Sequence, residues 1–111
     1  MPRDLDSLID ILQASRRAVE FVGDKSLHAF IDDVQCHFAV VRAIEIIGEA
    51  ANRVGDDFKS EHPYLPWRDM ISMRNRLIHG YDSVDLVLLW DTVVKDIPKL
   101  IESIEPLVPA E

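Results

Sequence analysis

Leu5, Leu8, Ile9, Leu12, Val19 and Val22 recur at helical spacing, which predicts a first amphipathic helix. It opens near Asp4 or Asp6, either able to cap it, and stops at Gly23-Asp24. Arg16 lies on the same stripe, where its stem can cover apolar surface while its head stays in water. Ser26 can cap a second helical stretch running toward Val54. Its stripe takes Leu27, Val34, Val41 and Gly48 at steps of seven, with Phe30, Phe38 and Ile44 between them. Unbroken, that stretch would reach about 43 Å, so a break near Asp32-Asp33 is expected. Gly48 on the seam lowers helix stability but lets another backbone come close.

Gly55 through Pro66 reads as a loop punctuated by Pro63 and Pro66. Pro66 suits the first turn of a third helix, whose stripe is Trp67, Met70, Ile71, Arg74, Leu77 and Ile78. Gly80 can close that helix in the left-handed conformation. Asp82 or Ser83 then caps a fourth helix with stripe Leu86, Trp90, Val93, Ile97, Leu100 and Ile104, and Pro98 should kink it. No segment reads as a strand. The pattern predicts one all-α domain over residues 1–111, an antiparallel helical bundle. Its apolar faces exceed what so small a monomer covers, which points to a homodimer.

Composition narrows this picture slightly. A chain of 111 residues is too short for two separate cores, and 48% hydrophobic residues is ordinary for a globular protein. The single cysteine, Cys36, has no internal disulfide partner and fits a small buried residue in a reducing cytosol. The start, MPRDLDSLID, carries three aspartates and does not read as a signal peptide. The most apolar stretch, FAVVRAIEII, is interrupted by Arg42 and Glu45 and is too short to cross a bilayer. A cytoplasmic protein without membrane attachment is expected. Net charge is −8, which argues against coating nucleic acid through the overall field. Residues 35–81 nevertheless hold six bases against six acids, and five of those bases are arginines. A local cationic site therefore stays open.

The stretch Met73 to Asp82, MRNRLIHGYD, gathers polar residues at the end of the third helix. Arg74 falls on the apolar seam, where a guanidinium needs a paired anion, a cavity or a partner subunit. His79, five residues on, would lie about 140° around a continuous helix. The two converge only if the chain turns, and Gly80 permits the turn. Asn75 and His79, four apart, would share a face and could hydrogen-bond. An RNA phosphodiester can be cleaved by its own 2′-hydroxyl, without a metal, given a group titrating near neutrality and a cation on the phosphate. Histidine fits the first role and arginine the second. One copy supplies a single motif histidine, and a symmetric dimer would supply two. Spacing alone equally fits a histidine at a helix C-terminus and a tyrosine at the core edge.

Trp67 to Tyr81, WRDMISMRNRLIHGY, with Val84-Asp85, Trp90 and Asp96-Ile97-Pro98, resembles the HepT branch of the HEPN domains. Ala43 to Ala50, AIEIIGEA, matches as well, so the similarity spans most of the chain. The resemblance implies a four- to five-helix HEPN bundle forming a homodimer, with both Arg-x-x-x-x-His-x-Tyr motifs lining a shared cleft. It implies the toxin of a toxin–antitoxin pair, a metal-independent endoribonuclease acting on RNA. Its antitoxin would be an MNT-type minimal nucleotidyltransferase. The catalytic arginine and histidine carry over to Arg74 and His79, the polar residue after the arginine to Asn75. The tyrosine that receives AMP from the antitoxin in some members carries over to Tyr81.

Other candidates carry less chemistry. Glu45 and Glu49 fit either a solvated face or partners for an arginine. His37, beside Phe38, reads as a core or interface histidine, and His28 and His62 carry no signal. No metal or cofactor is implied, because no ligand spacing is convincing beyond Asp32-Asp33. Two rival readings remain: a non-catalytic dimer that presents a nucleotide or Tyr81 to a nucleotidyltransferase, and a bundle whose motif is only a helix cap.

Overall fold

The computed structural model describes residues 2–77 and 84–109. Helices α1 (Pro2–Val22), α2 (Leu27–Ile31), α3 (Val34–Arg53), α4 (Asp56–Glu61), α5 (Trp67–Leu77) and α6 (Leu86–Asp91) lead into a π-helical turn, Thr92–Asp96. Helix α7 (Ile97–Ile104) and a 3-10 turn, Glu105–Leu107, follow. No strand forms among the described residues, and no helix there is long and apolar enough to cross a membrane.

Side-chain pairings set the directions of the long helices. Arg53 reaches Asp10 at 3.0 Å, while the Cys36 thiol donates to the Phe21 carbonyl at 3.2 Å, so α3 runs antiparallel to α1. Trp90 donates its indole N–H to the Lys25 carbonyl at 3.1 Å, and Arg16 reaches Glu105 at 3.0 Å. The chain from α6 to α7 therefore also runs antiparallel to α1. Helix α5 packs on the other flank of α3. The core between them is built from Leu8, Ile11, Phe30, Ile44, Ile47, Met70, Leu89, Ile97 and Ile104, all essentially withdrawn from water.

The expected breaks form where the local chemistry favours them. Gly23 adopts φ 56° after α1, a conformation that costs a side-chain-bearing residue more. Ser26 caps α2 by accepting from the Ala29 N–H, and Asp33 restarts the chain as the cap of α3 through the Cys36 N–H, both at 3.1 Å. The break at Asp32-Asp33 thus separates two helices. Pro98 cannot donate to Val94 and its ring crowds that carbonyl. The preceding turn widens to π spacing, which absorbs both effects.

Four expectations need correction. Helix α1 already runs from Pro2, and Asp4 does not cap it. The Asp4 carboxylate is buried and accepts the Gly55 N–H at 3.0 Å, tying α1 to the start of α4. The segment from Gly55 to Pro66 is not all loop, because α4 forms inside it without burying a residue fully. On α3 the core face is Cys36, Val40, Ala43, Ile44, Ile47, Ala50 and Ala51, whereas Val34 and Phe38 are 60% and 74% exposed. Phe30 and Ile44 of the expected stripe are buried as predicted, and only Val34 and Phe38 are left outside. The fourth helix starts from Asp85, which accepts the Leu88 N–H at 3.0 Å. Gly80, Asp82 and Ser83, proposed as caps, lie outside the described residues.

Candidate functional site

Helix α5 begins as Pro66 hands its carbonyl to the Met70 N–H at 2.9 Å. The turn before it is held by an aromatic cluster. Phe58 stacks on His62 with centroids 4.0 Å apart, and the Trp67 N–H donates to the His62 carbonyl at 3.0 Å. From that anchor α5 lays Met70, Met73 and Leu77 into the core. Its seating on α3 depends on Gly48. A Cβ built there would meet the Met70 carbonyl oxygen at 3.1 Å and the Ile71 carbonyl oxygen at 3.6 Å. The glycine expected to admit a neighbouring backbone does so, and the neighbour is α5.

That close approach places Arg74 beside Glu45, one turn from Gly48 along α3. The Arg74 Nε–H donates to Glu45 Oε2 at 3.1 Å. Their side chains are 49% and 29% exposed, so the pair sits at the surface edge of the α3–α5 contact rather than in the core. The stripe reading placed Arg74 too deep: Met73 takes the buried position, and Arg74 borders solvent. Of the three solutions open to a seam arginine, the chain uses a paired anion. The contact engages Nε, and neither terminal Nη group makes a hydrogen bond within the described residues. A guanidinium held this way still offers its planar N–H pair to a phosphate.

Glu49 turns the other way and pairs with Arg42 at 3.5 Å. Asn75 is exposed beside Arg74. The Leu77 carbonyl accepts the Asp85 N–H at 2.9 Å, which fastens together the two ends flanking residues 78–83. His79 and Tyr81 lie outside the described residues; of the site the structure pairs Arg74 with Glu45, and Asn75 is exposed at the next position of α5. Glu45 is the member that sequence left undecided. Its signal was present in the three-residue step to Gly48, which puts both on one face of α3.

His37 is not part of this constellation. Its Nε2 lies 2.6 Å from the Phe30 carbonyl and its ring tilts against Phe30, so it fastens α3 to α2. His62 belongs to the aromatic cluster, and His28 pairs with Asp32 at the surface. Cys36 is buried, and that burial pushes its thiol above the usual range, with Lys25 lowering it and Asp33 raising it. Among the described residues no group of three or more His, Cys, Asp or Glu side chains is placed to hold a metal ion.

Comparison with known proteins bears on the same helices. A family model described as Ribonuclease HepT-like matches residues 11–107. The chain is 46% identical over 102 residues to the "Probable ribonuclease HepT" of Thermococcus cleftensis, covering 92% of this chain and 93% of that one. It is 41% identical over 98 residues to a candidate RNase of Methanocaldococcus jannaschii, covering 88% and 90%. A candidate RNase of Caldanaerobacter subterraneus subsp. tengcongensis is 35% identical over 101 residues, with 91% and 90% covered. No solved structure matches the chain.

Proposed function

The chain belongs to the HepT-like ribonuclease family, and from that membership we propose that it is a toxin that cleaves RNA without a metal. In this reading two copies form a homodimer in the cytoplasm whose motifs share one cleft. An MNT-type nucleotidyltransferase antitoxin silences them by attaching AMP to Tyr81. The attached phosphate would fill the cleft with negative charge where the RNA backbone must enter.

The 2′-hydroxyl oxygen attacks the adjacent phosphorus while the bond to the 5′-oxygen breaks, leaving a 2′,3′-cyclic phosphate and a 5′-hydroxyl. One proton leaves the 2′-oxygen and another must reach the 5′-oxygen. His79 handles these transfers, one imidazole from each copy, because histidine titrates near neutrality. Asn75 orients His79. Arg74 holds the phosphate as charge builds on its oxygens. The observation that supports this most directly is Arg74 itself: its side chain is half exposed and Glu45 engages it through Nε.

Homodimerisation draws support from α3. Val34 and Phe38 expose large apolar side chains one turn apart, beside partly exposed Phe21 and Ile31. The same face continues along α3 to Glu45, and so to Arg74.

Expression without the antitoxin tests the catalytic claim. Arg74→Ala and His79→Ala should abolish growth inhibition, and full toxicity of either variant would end it. A second reading, a non-catalytic dimer that presents Tyr81 to the nucleotidyltransferase, gains from the carboxylate beside Arg74 and from the net charge of −8. Purified protein incubated with RNA in EDTA separates the two. Cleavage favours the enzyme, and intact RNA with or without added magnesium favours the presenting subunit.

A further inference from the structure

A groove of about 390 Å³ opens on the flank of α5 that faces away from Glu45. Its floor is apolar, with Met70, Met73 and Leu100, and its rim carries Tyr64, Arg76 and Ser103. We propose that this groove is a base-binding subsite for single-stranded RNA, with Tyr64 as its stacking platform; the proposal rests on the ribonuclease reading above.

Tyr64 is unusual in its surroundings. The turn that carries it is fixed on both sides, by Leu65, buried to 3% exposure, and by the stack of His62 on Phe58. Yet Tyr64 as a residue is left 63% exposed at the groove mouth, its ring edge-on to His62 with centroids 5.9 Å apart. An ordered aromatic face at the edge of an apolar cleft suits stacking, which every base offers and which needs no particular sequence. The groove volume falls in the range of small-molecule sites and admits one nucleoside rather than a folded segment of protein.

The polar groups match the rest of a nucleotide. Asp69 and Asp96 on the lining can accept from base amino groups or ribose hydroxyls, and Arg76 and Lys99 can donate to carbonyl or phosphate oxygens. Arg76 is already held against α5 through the Asp69 carbonyl at 3.3 Å, so its head is placed in advance. Arg74 and Arg76 differ by two positions and therefore lie about 200° apart around α5. An RNA strand passing the end of α5 meets Arg74 on one flank and the groove on the other. The groove holds a base next to the cleaved step, not the cleaved phosphate; the stack on Tyr64 supplies affinity, and the polar groups of the lining set sequence preference.

The test uses 2′-O-methyl RNA octamers of A, C or U, which lack the attacking hydroxyl, so binding is read apart from cleavage. Fluorescence anisotropy of the full-length protein should give unequal affinities for the three octamers. Tyr64→Ala should weaken the preferred one about tenfold, within the range for a lost base stack, and Tyr64→Phe should restore it. The slope of affinity against salt should stay the same in Tyr64→Ala, since stacking releases no counterions. Ser103→Trp, filling the groove from α7, should weaken the same octamer while circular dichroism stays that of the parent. Affinities that ignore both Tyr64→Ala and Ser103→Trp, or no octamer binding at all, would overturn the subsite. So would variants that lose the antitoxin but keep the octamers, since the groove would then be a protein-docking surface. Cleavage of ordinary RNA by the parent is scored separately, so the loss of one reading is distinguishable from the loss of the other.

Discussion

Arg74 Nε donates to Glu45 Oε2 across 3.1 Å, and this bond joins the motif helix to α3 at the edge of their contact. Both side chains are partly exposed, so the pair contributes at most about 1 kcal/mol to folding. Its value lies in direction. Glu45→Ala should leave urea stability nearly unchanged while RNA cleavage falls between about tenfold and a hundredfold, the scale of a misplaced catalytic group. Arg74→Lys should not rescue activity, because an ammonium has no planar pair of donors. A Glu45→Ala protein that cleaves as fast as the parent would show that Glu45 does not aim Arg74, and a faster one would show that it restrains it.

Gly48 offers a test of how α5 is seated. Alanine there gains about 1 kcal/mol of helix propensity, but its Cβ would press the Met70 carbonyl at 3.1 Å. These effects oppose each other, and Gly48→Ala should unfold within about 1 kcal/mol of the parent. Gly48→Leu has no such offset and should lose about 2 kcal/mol or more by forcing α5 away. Cleavage should fall in Gly48→Leu even under conditions where circular dichroism reports a folded bundle. Urea midpoints unchanged by leucine would mean the two backbones are not in contact.

Phe38 is exposed on a bundle whose other phenylalanines are more covered. Phe38→Asp should keep the helical signal and thermal midpoint, because the ring contributes little to this chain's own core. If α3 forms the dimer face, sedimentation should shift from dimer to monomer mass, and cleavage should drop with it. A dimer that survives the aspartate assigns the interface to another surface.

Cys36 predicts a pH effect with a definite sign. Burial raises its thiol above the ordinary value, so the folded protein holds the proton more tightly than the unfolded chain does. The resulting stability is complete below the unfolded thiol's pKa and disappears as pH rises through the folded one. Cys36→Ala removes that dependence. The stability gap between parent and variant should therefore narrow from pH 7 toward pH 10, measured by urea denaturation. A constant gap would mean the thiol stays equally accessible in both states.

Much of the bundle was legible because its punctuation is chemical and local. Ser26, Asp33 and Gly23 each act on backbone groups within a few residues, and each does what its type suggests. Short elements were harder. Helix α4 buries no residue fully, so it leaves no apolar stripe to find. The depth of Arg74 is hard to read from sequence because Met73 and Arg74 are adjacent, and a shift of one position turns a helix by about 100°.

The order of residues alone determined an all-helical chain, its principal breaks, the close approach at Gly48 and the identity of the arginine, asparagine, histidine and tyrosine in the motif. These follow from backbone preferences and periodicity, which act over one or two turns. Only the tertiary structure decided that Arg74 faces Glu45 and not the core, that Phe38 is left outside, and that Tyr64 stands at the mouth of a groove. Each depends on which helix fills the neighbouring space, and that space is closed by residues tens of positions away in the chain.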